Sequence, residues 1–252
     1  RTIGADRRLV LHGGGNTSLK VERVDVTGQL VRLLLVKGSG HDLATIDAEG
    51  FAPLRLDRLR ALLTVLDRLD DETLANELRC AAVDAAAPDP SVECLVHALV
   101  PQACVLHSHS DALLTLTHTP RGAALVRDVY GDRVVVVDYA QPGPALAAAC
   151  AAAWRDQAHD GTEGIVVLDH GLFAVGDTPR EALARHTSLV AAADARITAA
   201  PVRPRATAPR AADVDPLAVA TLRHRMSAVA GGPLIVRRSA DDEVRAFIAD
   251  GE

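Results

Sequence analysis

A chain of 252 residues is long enough to bury a substantial core, with room for one large domain and a small appendage. Its formal charge of -6 lacks the basic footprint that general nucleic-acid binding needs. Apolar runs such as 134–137 and 165–168 are far too short to cross a bilayer, and no basic region followed by an apolar segment and a cleavage site opens the sequence, so a soluble cytoplasmic protein is expected.

In chain order, segments 9–11, 31–36, 104–106, 134–137 and 165–168 are short, apolar and mostly β-branched, as buried or half-buried strands tend to be. Helical patterns run between them. Leu56, Leu59, Leu63 and Leu66 recur at three- and four-residue spacing; PDPSVECLVHAL at 88–99 reads as a helix start with Glu93 in its first turn; and 144–158 is rich in Ala. The helix from Pro179 carries its own start signal, with Thr178 as cap, Pro179 in the first position and Glu181 completing a T-x-x-E box. After about residue 200 the composition turns to AAPVRPRATAPRAADVDP, a linker by its Pro, Ala and Arg content. Two domains are therefore expected: 1–200, and 201–252 as linker plus short α/β appendage, helical at 217–229, strand-like at 234–237 and helical at 241–248. Cys80, Cys94, Cys104 and Cys150 form no C-x-x-C pair and read as reduced core thiols.

His107 and His109 in the HSH stretch stand two residues apart, so on an extended strand both rings face one side, their Cα atoms roughly 6.5 Å apart. They read either as two metal ligands or as paired polar residues at a strand end. His170 in DHG, where an apolar strand gives way to a glycine turn, supplies a third candidate ligand. Three neutral imidazoles would leave zinc its full charge and an open fourth position, the arrangement of a catalytic site. HGGGNTS at 12–18 and KGSG at 37–40 complete neither a dinucleotide nor a Walker fingerprint. They are either tight turns or, with Asn16, Thr17, Ser18 and Ser39, a neutral cradle for phosphate or carboxylate. Ser91 and the amides of the PSVE helix start favour an anion, while Glu93 reads as a helix-start charge or as a catalytic carboxylate. His97 and His118 are expected to pack or cap; His41, beside a Gly-rich segment, is the next histidine of interest.

Taken in order, GGGNTS, KGSG, PSVE, HSH and DHG resemble the class II aldolase and adducin family over roughly residues 5–200. The stretch from HGGGNTSLKVE through KGSGHDLATIDAEGF looks most like the aldolase part of bifunctional rhamnulose-1-phosphate aldolases, in which a short-chain dehydrogenase follows. The resemblance implies a class II aldolase-like α/β fold, a central β-sheet flanked by helices on both sides, commonly assembled into homotetramers. It further implies His107, His109 and His170 as zinc ligands, Glu93 as catalytic acid/base, and Asn16, Ser39, Gly40 and Ser91 as binders of the substrate phosphate. One departure is Val92, where family members often carry a second Ser before the Glu.

The expected reaction is zinc-dependent retro-aldol cleavage of a ketose 1-phosphate, with L-rhamnulose 1-phosphate giving dihydroxyacetone phosphate and L-lactaldehyde. An apolar helix start and a nearby phosphate would push the Glu93 carboxyl upward, as suits acid/base work near neutral pH. Alternatives are a sugar-phosphate epimerase or dehydratase on the same metal site, and a non-enzymatic adducin-like binding protein. A lysine Schiff base could use only Lys20 or Lys37, the two lysines of the chain.

Overall fold

A computed structural model describes residues 1–200 and 215–236. The chain divides into two units, Arg1–Ala200 and Pro201–Glu252. In the first, the chain order is β1 (Asn16–Val24), β2 (Leu30–Lys37), β3 (Phe51–Arg55), α1 (Leu56–Leu62), α2 (Asp71–Ala81), α3 (Cys94–Leu99), β4 (Cys104–Ser108), α4 (Asp111–Thr117), α5 (Gly122–Tyr130), β5 (Val134–Val137), α6 (Pro144–Gln157), β6 (Gly164–Val167), β7 (Gly171–Gly176) and α7 (Pro179–Thr198).

The seven strands form one sheet in the order β3-β2-β1-β4-β7-β6-β5. Every pairing is antiparallel except β5 with β6, which are joined through the α6 crossover and run parallel. Strand alternation gives the sheet two apolar faces. Val135, Val137, Ile165, Val167, Phe173 and Val175 pack with α3 and α6, and the same side continues through Leu34, Val36, Ala52 and Leu54 onto α1 and α2. Val134, Val166, Leu172 and Ala174 point the other way, against α4, α5 and α7. This is the expected α/β architecture, a central sheet with helices on both sides.

Local signals explain several boundaries. Thr178 accepts a hydrogen bond from the Glu181 amide at 3.2 Å, and the Glu181 carboxylate reaches back to the amide of Asp177 at 2.8 Å, one residue before the cap. The Leu56-to-Leu66 pattern is split: α1 stops at Leu62, and Leu66 lies in a separate 3-10 turn over Leu66–Arg68. Leu63 and Leu66 still pack on the same apolar cluster.

Segment 9–11 is not a strand. Asp6 accepts the amides of Leu9 and Val10 in a turn, and Val10 is buried with Ile3, Leu43 and Ile46. Three strands emerge where local sequence pattern points to turns or to no element. β1 begins inside the Gly-rich motif and alternates Leu19, Val21 with Lys20, Glu22. β3 contains Pro53 and is tolerated as an edge strand, paired with β2 on one side and bridged to Ala82 through Leu54 on the other. β7 follows the glycine turn directly and is buried along its whole length.

In the second unit, helix α8 spans Pro216–Val229, capped by Asp215 accepting from the Leu217 amide, in agreement with a helix at 217–229. Leu234, Ile235 and Val236 are not in a strand. Arg237, segment 241–248 and linker positions 201–214 lie outside the described residues.

Candidate active site and metal centre

The centre of the sheet assembles the site. β4 lies between β1 and β7, so it is a central strand rather than an edge, and its register sets His107 beside Asn16 on one side and Phe173 on the other. The His107 ring is fully buried and stacks on Phe173, with centroids 3.9 Å apart and planes at 13°. Its Nδ1 lies 3.1 Å from the Leu172 carbonyl. A carbonyl can only accept, so the proton sits on Nδ1 and the Nε2 lone pair is free to bind.

His109 follows one residue past the strand end, and its Nε2 lies 3.0 Å from His107 Nε2. His170 enters from the β6–β7 turn, where Asp169 takes a left-handed conformation (φ 56) and lets the strand reverse. The three histidines place one ligand atom each within 4.8 Å of one another, a group that could hold a metal ion. Gly171 makes this approach possible: a methyl group there would lie 2.4 Å from the Ser108 carbonyl oxygen and 3.2 Å from both the His107 and His109 rings.

Burial pushes the His107 imidazole down to about 3 and also lowers His109, against the opposing pull of Glu93. Both rings are therefore neutral at physiological pH. Nitrogen lone pairs brought this close repel unless a proton or a cation lies between them, so the donor set suits a divalent metal.

Glu93 is the N-cap of α3 rather than a first-turn residue, and its side chain caps nothing. It turns to the histidines instead: Oε1 is 2.9 Å from His170 Nε2 and Oε2 is 3.4 Å from His107 Nε2. The Asn16 amide donates to Oε2 at 2.6 Å and to Ser91 Oγ at 3.1 Å. Burial acts to raise the Glu93 carboxyl, but His107, His170 and the Asn16 amide outweigh it and hold the group well below the usual carboxylate range. The shift runs opposite to the expected upward one, because the Asn16 amide and His170 Nε2 lie within hydrogen-bond distance of the carboxylate, which therefore does not face apolar surface alone.

The other sequence candidates lie at two distances. Asn16 and Ser91 are in the cluster, whereas Ser39 and Gly40 are on its exposed rim. The 38–40 loop is tied alongside 89–91 by the Gly38–Pro90 bridge and by the Ser39 amide on the Asp89 carbonyl at 2.7 Å. Val92 is 42% exposed and turned from the buried cluster. His97 is wholly buried behind the site, with Nδ1 2.8 Å from Ser18 Oγ, and His118 is an exposed partner of Asp169 at 3.6 Å. His41 is exposed and stays outside the group.

Two features had no clear signal in the sequence. Phe173, in an unassigned strand, supplies the plate under His107. Ser108, facing away from its two histidine neighbours, bonds His186 of α7 at 2.7 Å and anchors the back of the HSH strand.

Comparison with known proteins adds an independent line. The family model described as class II aldolase and adducin N-terminal domain matches residues 2–197. YuxG of Bacillus subtilis (strain 168), an uncharacterized oxidoreductase, is 35% identical over 192 residues, covering 76% of this chain and 27% of that protein. The chain thus spans about a quarter of the length of this curated relative. The N-terminal class II aldolase domain of a conserved protein from Thermoplasma acidophilum is 40% identical, with a TM-score of 0.72 over 78% of this chain and 89% of that one. A sugar-phosphate aldolase from Thermotoga maritima, 16% identical with a TM-score of 0.57 over 81% and 94% of the two chains, shares the fold.

Proposed function

The chain belongs to the class II aldolase and adducin family, and from that premise we propose that it is an aldehyde-lyase. Its reaction is the reversible cleavage of a ketose 1-phosphate, L-rhamnulose 1-phosphate to dihydroxyacetone phosphate and L-lactaldehyde. The observation that carries this reading is the convergence of His107, His109 and His170 on one another, with the Glu93 carboxylate against His107 and His170.

His107, His109 and His170 would hold the metal, with zinc as the ion that three neutral imidazoles suit best. When bound, such an ion supplies Lewis-acid stabilisation for the negative charge that carbon–carbon cleavage places on the substrate oxygens. The protein supplies the proton chemistry. Glu93, ionised in its cluster, removes the proton from the hydroxyl on the carbon that becomes the aldehyde. As the bond breaks, its electron pair passes to the dihydroxyacetone fragment, and Glu93 delivers the proton it holds to the carbon of that fragment from which the bond was broken. Asn16 keeps the carboxylate aimed and ionised through its 2.6 Å hydrogen bond. The stacked Phe173 ring excludes water from behind His107.

Asn16, Ser39, Gly40 and Ser91 would bind the substrate phosphate. Ser39 and Gly40 present a backbone loop at the exposed rim, and Ser91 closes it from the α3 side. The Asn16 amide nitrogen is shared by Glu93 and Ser91, so donation to phosphate would require it to release one of them. Val92 removes a hydroxyl from this subsite and narrows phosphate binding to the other groups. A bifunctional parent, with a dehydrogenase beyond the aldolase part, is supported by the oxidoreductase description of a relative of which the match covers 27%. Cytoplasmic location and a homotetramer complete the proposal; among the described residues no helix is long and apolar enough to cross a membrane.

The test is incubation of metal-loaded protein with a panel of ketose 1-phosphates, measuring dihydroxyacetone phosphate and the released aldehyde. Glu93→Gln and His109→Ala should each abolish release. An isomeric sugar phosphate without triose would make the protein an epimerase, and loss of water would make it a dehydratase. Full cleavage by both variants would remove the site assignment.

A further inference from the structure

Lys20, one of the two lysines of the chain, stands away from the histidines. On β1, Asn16 pairs with His107, whereas the Lys20 amide donates to the Ala103 carbonyl just before β4 begins. Four residues of strand put roughly 13 Å between the two positions. Lys20 lies opposite Leu34 in the β1–β2 register, on the sheet face that α1 and α3 cover. Its Nζ donates to the carbonyls of Val100 and Gln102 at 2.8 and 2.5 Å, which leaves one of its three N–H bonds. Val100 closes α3, whose other end is Glu93, and the 100–103 connection leads into β4, whose other end carries His107.

Two guanidinium groups join this ammonium. Arg60 of α1 and Arg32 of β2 line, with Lys20, Leu56 and Pro101, a cavity of about 240 Å³. Other arginines of the domain are engaged by carboxylates through paired hydrogen bonds: Arg8 by Asp6, Arg79 by Asp89 and Arg133 by Glu163. Among the described residues, no ion pair includes Lys20, Arg32 or Arg60. Glu22 is the one carboxylate among the lining residues, and it stands opposite Arg32 in the β1–β2 register.

Charge balance gives this arrangement a purpose. Three cations against one carboxylate leave the cavity at +2, in a chain whose formal charge is -6. Burial first, and the Arg60 guanidinium second, push Lys20 down to about 8. The ammonium is still charged at neutral pH, and Arg60 adds repulsion where a counter-charge would stabilise it. A cavity of this volume is smaller than the roughly 300–1,000 Å³ of pockets for drug-sized ligands, so it suits a small ion or metabolite.

We propose that this cavity is a second ligand site, for a small dianion, in which Arg32 and Arg60 supply the charge and Lys20 its remaining N–H bond. The ligand chemistry is two negative charges carried on oxygens, as in a phosphate or a dicarboxylate. The site lies at the other end of α3 and β4 from Glu93 and His107, so it stands whether or not the chain cleaves a ketose 1-phosphate. A dianion held there ties the 100–103 connection, through Lys20, to α1 and β2 and braces the link between the two arms of the histidine cluster.

The experiment titrates the metal-loaded full chain with inorganic phosphate and with succinate by calorimetry, at an ionic strength held constant with chloride, and follows Tm in parallel. Wild type is compared with Arg60→Gln, Arg32→Gln and Lys20→Met. At least one of the two dianions should bind the wild type and raise its Tm. Arg60→Gln and Lys20→Met should each weaken that binding roughly ten- to a hundredfold, as loss of a charge-assisted hydrogen bond implies, and remove the rise in Tm. Arg32→Gln should weaken it less, because Glu22 already offsets part of the Arg32 charge. Arg60 is only half-buried, so Arg60→Gln keeps the test decisive if Lys20→Met fails to fold. Tighter phosphate binding identifies a phosphorylated ligand, and tighter succinate binding a dicarboxylate. The same binding event should survive His109→Ala; its loss there would assign it to the histidine cluster and overturn the proposal. Dianion affinity unchanged in both Arg60→Gln and folded Lys20→Met would overturn it too, as would a wild type that binds neither dianion or a Tm rise that chloride alone reproduces.

Discussion

Gly171 and Asn16 show how single residues set the chemistry. Gly171 leaves less than a methyl group of room between the Ser108 carbonyl and the His107 and His109 rings. Gly171→Ala must push those rings apart, at about 1–3 kcal/mol for overpacking. Metal analysis of the purified variant should show substoichiometric binding, with a lowered Tm; a full complement of metal would show that the turn can yield. Asn16 donates to the Glu93 carboxylate, and a hydrogen bond to a charged group contributes about 1.5–3 kcal/mol. Asn16→Ala should therefore lower kcat by roughly ten- to a hundredfold with metal retained. Steady-state kinetics decides this: a raised KM at unchanged kcat would leave Asn16 with phosphate alone.

Elements divide by how local their causes are. The start of α7 was legible because Thr178, Pro179 and Glu181 act within one turn. Thr178→Ala should cost about 1 kcal/mol, lowering Tm by about 2–4 °C for a domain of this size while catalysis is retained, as a thermal melt and an activity assay would show. β7 was not legible for the opposite reason. GLFAVG is short and begins with a glycine that reads as a turn, and it becomes a strand only because β4 and β6 pair with both of its edges. β3 hides similarly behind Pro53, which only an edge position permits. Segment 9–11 failed in the other direction, since three apolar residues can bury themselves in a turn as well as in a strand.

The whole molecule carries an acid sensitivity from its buried histidines. Burial holds His97 at about 3 and His186 at about 4, each below the ordinary value of 6.5. Below pH 6.5 the unfolded chain takes up protons at these rings while the folded protein does not. Stability is therefore full above that pH and falls as pH drops towards 4, by about 1.4 kcal/mol per pH unit for each such ring. Denaturant titrations should give nearly equal stabilities at pH 7 and 8 and a clear loss at pH 5; a flat profile would mean that water or a proton partner reaches these sites.

The sequence by itself determined the family, the α/β class and the residue types available for chemistry, because motif order, period and capping are properties of neighbouring residues. Tertiary structure alone decided which of those residues meet. Asn16, Glu93, His107 and His170 are far apart in the chain, and strand pairing around β4 with the close turn at Gly171 brings them to one end of the sheet. That pairing also set the protonation of the group, turning an expected high-pKa Glu93 into a carboxylate held ionised by its donors, since burial and hydrogen bonding depend on what surrounds a side chain after folding.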